Sequence, residues 1–142
     1  MKITRTGSAV WKGGLKDGKG AISTQSGALS AYPYGFATRF EGVKGSNPEE
    51  LIAAAHASCF TMALSLILGN AGFVADQMDT QAAVTLEQKG EGFEITSSHL
   101  TLRAKIPVIT PARFSELAGM AKAGCPISKL LKTEITLDAS LV

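Results

Sequence analysis

From Leu51 to Leu68 the chain runs for 18 residues without a charged side chain, and no other segment constrains the fold as strongly. Asn47 is a good helix N-cap, Pro48 suits the first helical position, and Glu50 falls three residues after the cap. The arrangement resembles a capping box with Asn in place of Ser or Thr. The apolar pattern runs to Leu68, and Gly69-Asn70 with Gly72 supplies the stop. Eighteen uncharged residues also reach the length of a membrane-spanning helix. Yet Ala, Ser, Thr, His and Cys fill most of the first half of the run, and the rest of the chain reads as strands that need a core to cover. A buried central helix satisfies both observations, so no membrane is expected. Because the helix is apolar almost all round, it is expected to be buried on most of its faces.

The flanking sequence supplies what that helix would pack against. Ser8–Trp11 and Ala21–Thr24 read as strands around the Asp17-Gly18 turn signal. Phe36 to Phe40 reads as a third strand after a turn at Pro33 to Gly35. Thr80 to Gln88 alternates through Ala82, Val84 and Leu86, turns at Lys89–Gly92, and returns through Phe93, Ile95, Leu100, Leu102, Ala104 and Ile106. The apolar parity changes from odd to even between Ile95 and Leu100, which predicts a β-bulge or bend near Ser97-Ser98. Thr110-Pro111 opens a second helix that stops at Gly124. Cys125-Pro126 starts a short third one reaching about Lys132. Glu134 to Leu141 is a last strand with Ile135, Leu137, Ala139 and Leu141 facing in. The order predicts an α+β fold with a mainly antiparallel sheet.

At 142 residues, one domain spanning residues 1–142 is the natural expectation. A net charge of +2, with no run of Lys and Arg, argues against nucleic acid as a partner. The amino terminus lacks an apolar signal core, which predicts a cytoplasmic protein in which a permanent disulfide is disfavoured and a transient one is allowed. Two cysteines and two histidines cannot make a zinc site without carboxylates, and no metal or other cofactor is expected.

The two cysteines occupy different settings. Cys59 lies inside the uncharged helix, where burial raises a thiol pKa and makes it inert. Reactivity there requires a cation. His56 is one turn earlier on the same helix. Arg39, in Ala-Thr-Arg-Phe-Glu, is the leading candidate, with Glu49 to fix its guanidinium and Glu41 and Glu50 as competitors. Each also has a structural reading: Cys59 and His56 as core residues, Glu49 and Glu50 as first-turn acids, Arg39 as a strand residue paired with Glu41. Cys125 precedes Pro126 at a helix start, a setting that lowers a thiol pKa; it could equally be a small residue filling a gap.

Taken together, Phe40-Glu41-Gly42, Gly45-Ser46-Asn47-Pro48-Glu49-Glu50 and the run through His56-Ala57-Ser58-Cys59-Phe60, followed by Lys122-Ala123-Gly124-Cys125-Pro126-Ile127-Ser128, resemble the OsmC/Ohr family of thiol-dependent hydroperoxidases. Trp11 with Gly18-Lys19-Gly20, and the stretch from Pro33 to Phe40, resemble its OsmC branch. The resemblance implies an intertwined homodimer with an OsmC-like fold, two central helices and active sites at the dimer interface. It places the peroxide-attacking cysteine on Cys59, the resolving cysteine on Cys125, the activating arginine on Arg39 and its partner carboxylate on Glu49. The implied reaction reduces organic hydroperoxides, and hydrogen peroxide less well, to alcohols through a Cys59 sulfenic acid and a Cys59–Cys125 disulfide, in oxidative and osmotic stress defence. A dithiol reductant, of lipoyl type by the same resemblance, would reset the pair. Phe36, Phe40, Phe60 and Met62 are the expected apolar neighbours of the site. Two rival readings stand beside it: a cysteine hydrolase using Cys59 and His56, and a non-enzymatic stress-related binding module whose cysteines are structural.

Overall fold

The computed structural model describes all residues from Met1 to Val142. The chain divides into two compact units, Met1–Leu51 and Ile52–Val142. It is α+β, as the sequence pattern predicts, with two three-stranded sheets.

In the first unit β1 (Gly7–Lys12), β2 (Lys19–Thr24) and β3 (Tyr32–Tyr34) form an antiparallel sheet in chain order. Tyr34 stacks over the backbone of Gly20, where an added Cβ would sit 2.3 Å from the ring, and Trp11 meets the Tyr34 ring at a centroid distance of 5.5 Å. The expected turn at Pro33 to Gly35 is thus largely strand. The expected strand at Phe36 to Phe40 is a one-turn helix, α1 (Phe36–Phe40). Thr38 explains the difference: its Oγ1 accepts the Gly35 N–H at 2.9 Å and lies 2.9 Å from the Ser46 carbonyl. That local closure outcompetes the β preference of an apolar run too short to declare a period.

Helix α2 (Pro48–Asn70) begins as its sequence dictates, with Asn47 Oδ1 accepting the Glu50 N–H at 2.8 Å. It ends in a Schellman motif. Phe73 N–H reaches the Leu68 carbonyl at 2.9 Å and Gly72 N–H the Gly69 carbonyl at 3.1 Å, with Gly72 at φ +86°.

In the second unit β5 (Gly92–Lys105) is the central strand. It pairs antiparallel with β4 (Gln77–Lys89) and parallel with β6 (Glu134–Leu141). Thr85 faces Ser97 while Leu86 faces Ile95, so Thr96 is the extra residue. This is the bulge that the parity change predicts, one residue earlier than Ser97. Beyond it Ser98, Leu100, Leu102 and Ala104 all turn inward. They meet Phe60, Leu64 and Leu68 of α2 and Phe114, Leu117, Ala118 and Ala121 of α3 (Pro111–Gly124). Helix α4 (Pro126–Leu130) follows directly.

One expectation fails in the single chain. Helix α2 is not buried on most faces: only His56, Phe60, Leu64 and Leu68 are, a stripe with a four-residue repeat. The strand and helix it packs on cover one side, leaving Met62 76% and Leu66 66% exposed. By length and composition α2 is the one helix long and apolar enough to cross a membrane.

Candidate functional site

Two constellations carry the polar chemistry, one in each unit. In the first, Arg39 lies in the last turn of α1 and Glu49 in the first turn of α2. Arg39 Nε lies 3.2 Å from both carboxylate oxygens of Glu49, and its Nη2 donates to Oε1 at 2.7 Å. This is the forked pairing that a guanidinium makes with a carboxylate, and it selects Glu49 over Glu41 and Glu50 as the partner of Arg39. The Arg39 guanidinium carbon also sits 5.4 Å from the centroid of the Phe40 ring. Because α1 is helical, Phe36 and Phe40 fall on one side of it, with ring centroids 5.0 Å apart. Together with Trp11, Leu15, Tyr34 and Arg39 they line a cavity of about 170 Å³. Of the other two expected apolar neighbours, Phe60 is fully buried in the core and Met62 lies on the exposed side of α2. Phe60 misses because it falls on the same stripe as His56 and Leu64.

In the second unit Cys59 of α2 and Cys125, between α3 and α4, are both free thiols. Cys125 is buried and Cys59 partly so, and each thiol acts on the acidity of the other. Their acidities diverge. Burial pushes Cys59 up; the Ile127 amide works against that, and the neighbouring Cys125 adds to it. Burial also acts to raise Cys125, but the Ser128 amide, the Cys59 thiol, the Ser128 hydroxyl and the Ile127 amide outweigh it, and Cys125 is lowered. Cys125 is the N-cap residue of α4, a position near helix N–H groups that favours a thiolate, although its side chain makes no capping hydrogen bond. Within this unit no cation acts on Cys59.

His56 is a satisfied core residue. Its Nδ1 lies 2.7 Å from Ser98 Oγ on β5 and its Nε2 2.8 Å from Ser128 Oγ on α4, all three side chains being buried. Both ring nitrogens are occupied, and burial lowers its pKa from the ordinary 6.5. This removes the base that a Cys59–His56 hydrolase would need. Sequence reasoning identified neither Ser98 nor Ser128. The one available signal for Ser128 was its place three residues after Cys125, where an N-cap finds its amide partner. No group of three or more His, Cys, Asp or Glu side chains is placed to hold a metal ion.

Comparison with known proteins places this arrangement in a family. The family model described as OsmC-like protein matches residues 41–140, a span that holds Glu49 and both cysteines. The chain is 54% identical over 141 residues to the Peroxiredoxin OsmC of Escherichia coli (strain K12), covering 99% of each. It is 28% identical over 102 residues to the organic hydroperoxide resistance protein OhrB of Bacillus subtilis (strain 168), covering 71% of this chain and 73% of that protein. The crystal structure of B. subtilis OhrB superposes with a TM-score of 0.71 at 25% identity, covering 96% of this chain and 98% of that one. An organic hydroperoxide resistance protein from Elizabethkingia anophelis gives 0.69 at 26% identity, covering 99% and 98%. A match that runs through both cysteine segments and almost the whole length of a relative leaves one assignment: the chain belongs to the OsmC-like protein family.

Proposed function

We propose that this protein is a cysteine-based peroxidase of stress defence that reduces organic hydroperoxides to alcohols. The observation that carries this reading is the placement of two free thiols of opposite tendency, Cys59 and Cys125, inside one compact unit, each acting on the acidity of the other. Membership of a family whose members are named peroxiredoxin and organic hydroperoxide resistance protein supports it.

Cys59 is the attacking thiol. Its thiolate displaces alkoxide from the terminal peroxide oxygen; the O–O bond breaks, an S–O bond forms, and the alkoxide takes a proton to leave as alcohol. Cys59 is left as a sulfenic acid. Cys125, as thiolate, attacks that sulfur and expels hydroxide, which becomes water, and the Cys59–Cys125 disulfide remains. A dithiol, of lipoyl type in our reading, exchanges with the disulfide and restores both thiols. Overall, one hydroperoxide and one dithiol become one alcohol, one water and one oxidised dithiol.

Arg39 is the cation that Cys59 lacks within its own unit, and Glu49 holds its fork. The apolar cavity beside Arg39 takes the organic group of the peroxide, which favours alkyl and aryl hydroperoxides over hydrogen peroxide. The protein acts as a homodimer in which a second copy covers the exposed face of α2. That the 54% identity to the E. coli protein runs through both units supports reading them as parts of one domain. We place it in the cytoplasm, where a dithiol can keep the pair cycling, and assign it no membrane, nucleic-acid or cofactor role.

The test is intact-mass spectrometry of the reduced protein after one equivalent of cumene hydroperoxide, quenched early. A loss of two hydrogens with Cys59 and Cys125 joined on peptide mapping is expected. Unchanged mass with both thiols free would refute the peroxidase reading in favour of a binding module with structural cysteines.

A further inference from the structure

The aromatic cavity of the first unit is built by a device that peroxide reduction alone does not call for. Trp11, Gly20 and Tyr34 stand in one cross-strand row: Trp11 on β1 is opposite Gly20 on β2, and Gly20 is opposite Tyr34 on β3. The outer strands of such a row lie two strand spacings apart, about 10 Å. Yet the two rings meet at a centroid distance of 5.5 Å, tilted by 55°. They close that gap because the middle position has no side chain, and Tyr34 occupies the space a Cβ of Gly20 would take. Gly18 makes a second allowance, since a Cβ there would lie 2.8 Å from Trp11 Cζ2. The indole N–H donates to the Gly13 carbonyl at 3.0 Å. The Trp11 ring is thus fixed by Tyr34, by the Gly18 backbone and by its own polar edge.

These rings do not fill a core. No apolar side chain of Met1–Leu51 is fully buried, and Trp11 and Phe40 each remain 38% exposed. Instead Trp11 and Tyr34, with Leu15, line a space of about 170 Å³ together with Phe36, Phe40 and Arg39. That space is smaller than the roughly 300–1,000 Å³ of ordinary ligand pockets. It is close to the size of an apolar cavity of about 150 Å³ that holds one benzene. Aromatic walls also offer tilted and edge-to-face contacts that a ring can return and an alkyl chain cannot.

We propose that Trp11 is the specificity-determining residue of this cavity, which seats a single aromatic ring and so selects compact aryl hydroperoxides over long unbranched ones. The inference deepens the reading of the protein as an organic hydroperoxidase and rests on it. A hydroperoxide two bonds from a ring seated here stays beside Arg39, which belongs to the same lining, with few rotors to freeze. A long chain exceeds the space. It must either leave much of its apolar length in water or displace Trp11 against the contacts that fix it.

The test has two arms. The chain has one tryptophan, so its fluorescence reports on this cavity alone. Cumyl alcohol, the unreactive product of cumene hydroperoxide, is titrated into the reduced protein, with 1-hexanol as a chain of comparable hydrophobicity. Trp11 emission should change saturably with cumyl alcohol, at a concentration roughly two- to tenfold lower than hexanol requires. In the second arm, kcat/KM for cumene hydroperoxide is divided by kcat/KM for linoleic acid hydroperoxide. Trp11→Ala is expected to lower that ratio by about tenfold. Trp11→Phe, which keeps a ring, should return it to within about threefold of the unmutated value. A general loss of fold or activity lowers both rates and leaves their ratio alone. Emission that cumyl alcohol does not saturate, hexanol binding as tightly, or an unmoved ratio in Trp11→Ala overturns the proposal. Should Trp11→Ala not fold, the titration of the unmutated protein decides. If cumyl alcohol binds but no hydroperoxide is turned over, the peroxidase reading fails while the aryl-binding cavity stands, which keeps the two failures distinct.

Discussion

Acid should destabilise this protein through one residue, His56. The imidazole is fully buried, and both its nitrogens contact serine hydroxyls. Those hydroxyls can rotate to accept from a cation, so protonation breaks no pairing. It instead charges a group removed from water, and that burial is what lowers the pKa. The sign follows from linkage. The folded value lies below the unfolded value of 6.5, so below pH 6.5 the unfolded chain binds the proton more readily and stability falls with pH. The loss begins as pH drops through 6.5 and levels off once it passes the folded-state value. Between those limits the slope is at most about 1.4 kcal/mol per pH unit, which allows up to about 2 kcal/mol between pH 7.5 and pH 5.0. Urea unfolding of the reduced protein at a fixed protein concentration, compared with His56→Gln across that range, isolates the effect because every other titration cancels in the difference. Wild type should lose stability relative to the variant as pH falls. A flat difference from pH 7.5 to 5.0 would refute the argument. Should His56→Gln not fold, the ring C–H shifts of His56 in the native protein give the same titration directly.

Three further outcomes are expected. Glu49→Gln frees the Arg39 fork and should lower kcat/KM for cumene hydroperoxide by about tenfold, while urea midpoints record a stability change under about 1 kcal/mol because the ion pair is partly exposed; an unaltered kcat/KM would show that Glu49 does not orient Arg39 for the reaction. Leu64→Ala removes a fully buried side chain between Phe60 and Leu68 and should cost about 2.7–5 kcal/mol in denaturant unfolding, a loss below 1 kcal/mol meaning that the α2 stripe is not the core. Leu66→Glu places a charge on the exposed face of α2 and should turn dimer into monomer by light scattering; an unmodified protein that is already monomeric at tens of micromolar would remove the second-copy reading.

What the sequence disclosed was what short-range chemistry decides. Asn47-Pro48 and the Glu50 amide set the start of α2, Gly72 its end, and the parity change on β5 its bulge, because each depends on residues within a few positions of one another. Cys125-Pro126 announced a capped helix start for the same reason. The misreadings lie where tertiary contacts decide. The pattern of Glu134 to Leu141 is the same for either strand direction, so the parallel pairing of β6 with β5 had no local trace. Phe36 to Phe40 fits a strand by composition and became helical through a carbonyl at Ser46, eight residues beyond Thr38. Arg39 had three acidic candidates, and only the helical turn of α1 aims it at Glu49. Ser98 and Ser128 are unremarkable in sequence because a serine acquires meaning only when a distant imidazole arrives.

The contrast between the two thiols bears on the proposed order of attack. In Ile52–Val142 alone, amide and hydroxyl donors stabilise the thiolate at Cys125, while burial and the Cys125 neighbour keep Cys59 protonated. On the proposed roles, that unit alone favours the thiolate at Cys125 over the one at Cys59. The proposed order of attack calls for a positive charge at Cys59, the role proposed above for Arg39, which Glu49 already holds by its fork. On this argument the acidity of Cys125 is not a competitor to catalysis. In the proposed cycle it keeps a thiolate ready in the same unit as Cys59, so that the sulfenic acid meets a nucleophile before it meets a second peroxide.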